Sequence, residues 1–378
     1  MVSKRVQSIK PSGVREIFEM ATKDSINLGL GELDFDPPKE AMDAVKEAID
    51  KGYNRYGPTK GFTELRELVA KKESKYRSDI EAANVVITAS GTQATMATMQ
   101  TLFDPGDEVL IPEPGFVTYE PDTILCEAKP VPYYLDEEKA FQPDLEQIKE
   151  SVTPRTKGII VNSPANPTGM VLDRETFDGI ADIAKDHDLW IISDEVYEDF
   201  VYDGRKHYSY CEALERSVVL NSFSKSFAVT GWRIGFLVAP TELTDQIAKY
   251  SYSMLACPPS PPQYAIWKTF DSQDRFIRKV LPVFDQRRRT MSRMLNEIQG
   301  FSCPLPHGSF YAFPSFEQKM SSRDLSRMLV AAGVISAPGS AFGSGPGCEG
   351  HLRFSYAASE ADISRGLSIV KKVVDGLG

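Results

Sequence analysis

Six short apolar, β-branched runs recur between residues 84 and 238, at 84–89, 108–111, 157–162, 189–193, 218–220 and 234–238. No other feature constrains the fold as much. Small polar turns and helical patterns separate most of them. Strands that alternate with helices imply a mostly parallel sheet with helices on both faces. The reason is that a parallel neighbour is reached only by a long crossover, usually a helix. The alternation runs from about residue 41 to residue 274, which predicts a large α/β domain over 41–274 with a sheet of the seven-stranded type. Residues 1–40 and 275–378 are expected to form a smaller α+β domain. A length of 378 residues suits one large unit and one small one.

The last two runs flank a polar loop that carries Ser222, Ser224, Lys225, Thr230 and Arg233. Loops at strand ends are where α/β proteins place their chemistry. A lysine usually decorates a surface. Here it lies between core strands, among hydroxyls and beside a second cation. Desolvation and a neighbouring cation both disfavour an ammonium, so the free amine becomes available to attack a carbonyl and form an imine. Two hydroxyls and a guanidinium also suit a phosphate dianion. An aldehyde and a phosphate on one small molecule describe pyridoxal 5'-phosphate (PLP).

A second anion site is legible at the first run, where Ser90-Gly-Thr92 opens the following helix with bare N–H groups and a favourable dipole. Asp194 closes the apolar run 189–193, where a lone carboxylate is costly unless compensated. Arg353 interrupts another apolar run and needs an anionic partner for the same reason. Phe116 follows Gly115 just beyond a strand. Asn166 lies in the turn Asn166-Pro-Thr-Gly169. Plainer readings exist for each: an N-cap at Ser90, a loop cap at Asp194, a salt bridge at Arg353, a core cover at Phe116.

Together, Ser222-x-Ser224-Lys225 and Thr230-Gly-Trp-Arg-Ile-Gly235 closely resemble the lysine loop of class I/II aminotransferases of PLP fold type I. The resemblance covers essentially the whole chain and is greatest to archaeal aromatic and aspartate aminotransferases. It implies that Lys225 carries PLP as a Schiff base and moves the substrate's α-proton. Asp194 would hold the pyridine nitrogen protonated, and Phe116 would stack on the ring. Asn166 and Tyr197 would meet the phenolate oxygen. Ser90, Gly91, Thr92, Ser222, Ser224 and Arg233 would bind the phosphate. Gly31, Asn166 and Arg353 would receive the substrate carboxylate. The tyrosine of Tyr56-Gly-Pro-Thr-Lys-Gly61 would reach the phosphate in a partner subunit, which implies a homodimer with shared sites. The implied reaction is ping-pong transfer of an amino group from an L-amino acid, aromatic or aspartate, to 2-oxoglutarate.

Substrate choice is thinly encoded. Arg353 would fix the α-carboxylate of any amino acid. The lysine with which some aspartate aminotransferases grip a distal carboxylate is replaced by Thr92. Phe116, Tyr56 and Phe18 are candidates for an apolar wall, which favours a broad or aromatic specificity.

Three rivals remain at this stage. PLP chemistry also serves carbon–sulfur lysis, and a non-catalytic PLP-fold regulator would share the scaffold. A nicotinamide oxidoreductase is disfavoured, because Gly345-Pro-Gly-Cys-Glu-Gly350 lacks the strand and helix that a dinucleotide motif requires. A net charge of −10 argues against nucleic acid. Five scattered cysteines predict reduced thiols, a cytoplasmic setting and no metal site. No apolar leader and no run of about 18 apolar residues is present, so no membrane span is expected. Elsewhere, 307–313 and 351–355 read as strands and 273–299 as a long helix. Arg287-Arg288-Arg289 within it reads as a solvated face with scattered interface pairs rather than a nucleic-acid patch, and the proline-dense 257–262 as a chain break.

Overall fold

The computed structural model describes residues 2–377. Its main sheet has seven strands: β1 (Val85–Thr88), β2 (Glu108–Glu113), β3 (Lys129–Tyr134), β4 (Thr156–Asn162), β5 (Trp190–Asp194), β6 (Ser217–Ser222) and β7 (Gly235–Val238). In space they lie in the order β1-β7-β6-β5-β4-β2-β3. The pairs β2–β3, β2–β4, β4–β5 and β5–β6 are parallel. β7 is antiparallel to both its neighbours, β1 and β6. The mostly parallel sheet expected from the alternation is present.

Period-two side-chain alternation splits the strands between two cores. Val85, Ile87, Ile159, Val161, Ile191, Val219, Phe236 and Val238 pack on one face. Val86, Ile160, Ile192, Val218, Leu220 and Leu237 pack on the other. Both faces are buried, which is why these runs read as continuously apolar. β3 escaped the sequence reading because Pro130 and Pro132 interrupt it. It is the edge strand, the one place where a missing N–H costs little. The proline-dense stretch does break the chain. It also starts a further helix, Ser260–Lys268, with proline in its first turn, where no N–H is needed.

A third core gathers the helices Ser272–Asn296, Ser322–Ala331 and Glu360–Asp375 around Phe284, Met291, Phe310 and Tyr356. Of the expected strand 307–313, Tyr311–Ala312 pairs with Phe354 and Ser355, and Gly308 makes an isolated bridge to Val201. The basic run in the long helix is a correction. Arg289 is exposed, but Arg288 is fully buried and Arg287 nearly so. Arg288 pairs with Asp203 at 2.7 Å and Arg287 with Asp34 at 2.7 Å. Residue spacing alone did not reveal the acidic partners that make such burial tolerable. The glycine-rich stretch 345–350 is a loop, as expected, and its first N–H donates to the Glu113 carboxylate at 2.7 Å.

Candidate active site

The C-terminal ends of the parallel strands converge on a cavity of about 280 Å3. β7, running the other way, brings its beginning to the same rim, so Thr88, Gly235 and Ser222 lie side by side across three strands. That row is tight. A Cβ on Gly235 would stand 2.7 Å from the Asn221 carbonyl and 2.9 Å from the Gly91 nitrogen. Only glycine lets the lysine loop and the Ser90 turn approach this closely.

Ser90 caps the helix Gly91–Leu102 by accepting from the Gln93 N–H at 3.1 Å. Its φ of 144° lies where side-chain-bearing residues seldom sit, a strain of about 1–3 kcal/mol that functional turns often carry. Across the row, the Ser222 hydroxyl donates to Ser224 Oγ at 2.9 Å and accepts from the Ser224 N–H at 3.1 Å. Arg233 has a left-handed backbone and anchors its guanidinium on the Thr230 carbonyl at 2.8 Å. Two hydroxyl-bearing turns and one guanidinium thus border one corner of the cavity.

Lys225 stands on the short helix Phe223–Ser226 that follows β6. Its Nζ donates to the Gly31 carbonyl. Withdrawal from water pushes its pKa down to about 8, against the pull of Glu32 and with help from Arg353 and Arg233. Opposite, Asp194 ends β5 and is 8% exposed. Its carboxylate accepts from the Tyr119 hydroxyl at 2.6 Å and the Val196 N–H at 3.3 Å. Burial pushes its pKa up to about 6, against those two donors. An amine poised to lose a proton and an acid poised to gain one face the same space.

Arg353 is 4% exposed. Its guanidinium donates to Asn166 Oδ1 at 2.8 Å and to the Gly29 carbonyl, and it lies over the Tyr311 ring, 4.4 Å from its centre. Its Nε has no partner among the described residues. Asn162 ties this side to the sheet, donating to the Asp194 carbonyl at 2.8 Å and accepting from the Asn166 N–H at 2.8 Å. Tyr197 and Tyr311 join their hydroxyls at 3.0 Å.

Gly31, Ser90, Gly91, Thr92, Phe116, Asn166, Asp194, Tyr197, Ser222, Ser224, Lys225, Arg233 and Arg353 all line this one cavity. Tyr56 does not. It is 88% exposed and borders a surface groove with Cys257 and Pro258. Phe18 packs with Ile17, Val330 and Ile335, away from the cavity. Of the wall candidates Phe116 does line the cavity, and Val14, Leu30 and Val117 line it as further apolar residues. Sequence reasoning missed these three, and also Asn162, Tyr119 and Tyr311. Tyr311 carried a usable signal, since a tyrosine beside Phe310 in an apolar run must find a hydroxyl partner when buried.

Residues 23–370 match the family model for aminotransferase class I and II. With that match, this fold and this cavity, the chain belongs to the class I and II aminotransferases, transferases that work with PLP. It is 41% identical to a probable aspartate aminotransferase of Methanocaldococcus jannaschii, over 99% of this chain and 100% of that one. It is 38% identical to aromatic-amino-acid aminotransferase 2 of Thermococcus litoralis, over 99% and 98%. The structure of Thermus thermophilus aspartate aminotransferase with maleate superposes with a TM-score of 0.93, at 31% identity and 99% coverage of each chain.

Proposed function

We propose that this aminotransferase holds PLP in the cavity through Lys225 and moves the amino group of an L-amino acid, with aromatic donors preferred, to 2-oxoglutarate. One observation carries the cofactor reading. Asp194 is a buried carboxylate with a raised pKa and, among the described residues, no cationic partner, and it faces the cavity into which Lys225 projects. A protonated pyridine nitrogen is the cation such a carboxylate lacks. The hydroxyls of Ser90, Thr92, Ser222 and Ser224, the Gly91 N–H and Arg233 are the donors for its phosphate, Phe116 the cover for its ring, and Asn166 and Tyr197 the donors for its phenolate oxygen. When bound, PLP supplies an electron sink for the charge left on a substrate's α-carbon.

The chain's own groups do the rest. Arg353, with its unpartnered Nε, receives the α-carboxylate beside Gly31 and orients the α-hydrogen. Lys225 Nζ, whose pKa is already lowered, takes the α-proton and returns it. Val14, Leu30 and Val117 exclude water at the substrate's side-chain end. Residues 1–40 and 275–378 supply Val14, Leu30, Gly31, Tyr311 and Arg353, and residues 41–274 the remainder, so the cavity lies between the two proposed domains.

The wall favours an apolar side chain, because the only cations lining the cavity among the described residues are Lys225, Arg233 and Arg353. Strict aspartate specificity is the second reading, supported by the names of several relatives. Tyr56 is exposed and does not line its own cavity, which supports a homodimer in which it completes the partner's site. Five unpaired cysteines support a reducing, cytoplasmic setting. Two experiments test the function. Borohydride should fix the cofactor of the yellow protein to the Lys225 peptide, and a label on another lysine ends the reading. A kcat/KM series over phenylalanine, tyrosine, aspartate, kynurenine and alanine tests the substrate. Aspartate ahead of phenylalanine by about a hundredfold overturns the aromatic preference.

A further inference from the structure

Tyr311 has no role in the mechanism above, yet it touches three of the groups that do. It is 2% exposed on the short strand beside Arg353–Ser355. Its ring lies under the Arg353 guanidinium, with Phe310 5.0 Å and Tyr197 5.7 Å away between ring centres. Its hydroxyl presses against Gly31 so closely that a Cβ there would overlap it. That hydroxyl leaves no room for a side chain at position 31. It meets the Tyr197 hydroxyl at 3.0 Å, and among the described residues neither hydroxyl has another hydrogen-bond partner.

Each hydroxyl carries a single proton. Resting on the reading that Tyr197 faces the phenolate oxygen of PLP, we infer that Tyr311 is a positioning residue that donates to Tyr197 and so strengthens the donation Tyr197 makes to the cofactor. Once Tyr197 gives its proton to that oxygen, its lone pairs face Tyr311, and only Tyr311 can donate back. Hydrogen bonds linked in this way polarise one another. Charge drawn from the phenolate lowers the basicity of the nitrogen that joins Lys225 to the cofactor. Tyr311 thereby tunes, through Tyr197, the pH at which that linkage loses its proton.

The test is a pH titration of the visible absorption of the holoenzyme, read for wild type, Tyr311→Phe, Tyr197→Phe and the double variant. Tyr311→Phe keeps the ring and its contact with Arg353. It is expected to raise the titration midpoint by about half a unit to one unit, the scale of one neutral hydrogen bond. In the Tyr197→Phe background the same change should add nothing. An unchanged midpoint, or an equal increment in both backgrounds, overturns the inference. Should Tyr311→Phe fail to fold, 3-fluorotyrosine at position 311, a more acidic donor, must lower the midpoint, and an unchanged or raised value overturns the inference. A wild-type protein with no visible band refutes the cofactor reading itself, an outcome distinct from a band that titrates without regard to Tyr311.

Discussion

Replacing Asp194 with asparagine is expected to stabilise the cofactor-free protein at neutral pH while removing its activity. Asp194 holds its proton more tightly in the folded state, since burial lifts its pKa from 3.8 to about 6. Its contribution to stability is therefore fully present below the unfolded value and is lost as pH rises through the folded one. About two units at about 1.4 kcal/mol each amounts to about 3 kcal/mol at pH 7. Asparagine avoids that burden, and its amide oxygen still accepts from Tyr119. Its NH2 group, however, then faces the Val196 N–H, which now sits 3.3 Å from a carboxylate oxygen, at a cost of about 1 kcal/mol. The net expectation is a gain of about 2 kcal/mol at pH 7 that disappears near about pH 4, where the aspartate is protonated when folded. Urea denaturation of both cofactor-free proteins at the two pH values measures it. A variant no more stable than wild type at pH 7, or equally stabilised at both, would refute the reasoning.

Cofactor uptake by the apoenzyme should accelerate with pH and level off above about 8, following the free amine of Lys225. Stopped-flow absorbance reads this, and a midpoint at the ordinary 10.5 would contradict it. Gly31→Ala drives a methyl group into the Tyr311 hydroxyl, so urea denaturation should show a loss of about 1–3 kcal/mol, with kcat/KM falling alongside. An unaffected variant would mean that Tyr311 moves freely. Mixing inactive Lys225→Ala chains with impaired Tyr56→Ala chains should restore part of the activity through hybrid sites. No recovery after demonstrated subunit exchange would count against a shared site.

How much of this was legible in advance depended on whether a residue's meaning is local. Lys225 and Arg233 stood out because their neighbours in sequence are also their neighbours in space, within one loop. Asp194 and Arg353 were legible through a mismatch, a charge in an apolar run, which needs no knowledge of the partner. Tyr119 and Tyr311 were missed for the opposite reason. What each hydroxyl does is decided by a group 75 or 114 residues away in sequence. The same holds for Arg288, whose burial depends on Asp203 and Asp285. β3 was hidden by its prolines, since an edge position is a property of the assembled sheet rather than of the strand. Gly366 lies inside the helix Glu360–Asp375, where glycine is a poor helix former. In the structure a Cβ there would stand 2.8 Å from Leu28 Cδ1, so the glycine serves packing between segments rather than helix formation.

The reversed direction of β7 bears on how this site tolerates change in chain length. A strand that began at the far edge, as its parallel neighbours do, would need a crossover of about a dozen residues or more before reaching β6 again. Because β7 returns directly beside β6, Lys225 and Arg233 reach the same rim within one short connection, and that connection acts as a ruler. Its backbone is pinned at Ala228 and Arg233, both left-handed, and by the Val229 N–H on the Ser224 carbonyl. An insertion or deletion there cannot be absorbed by slack. It would shift the amine and the guanidinium relative to each other while leaving both residues, and the pattern that announces them, intact in the sequence.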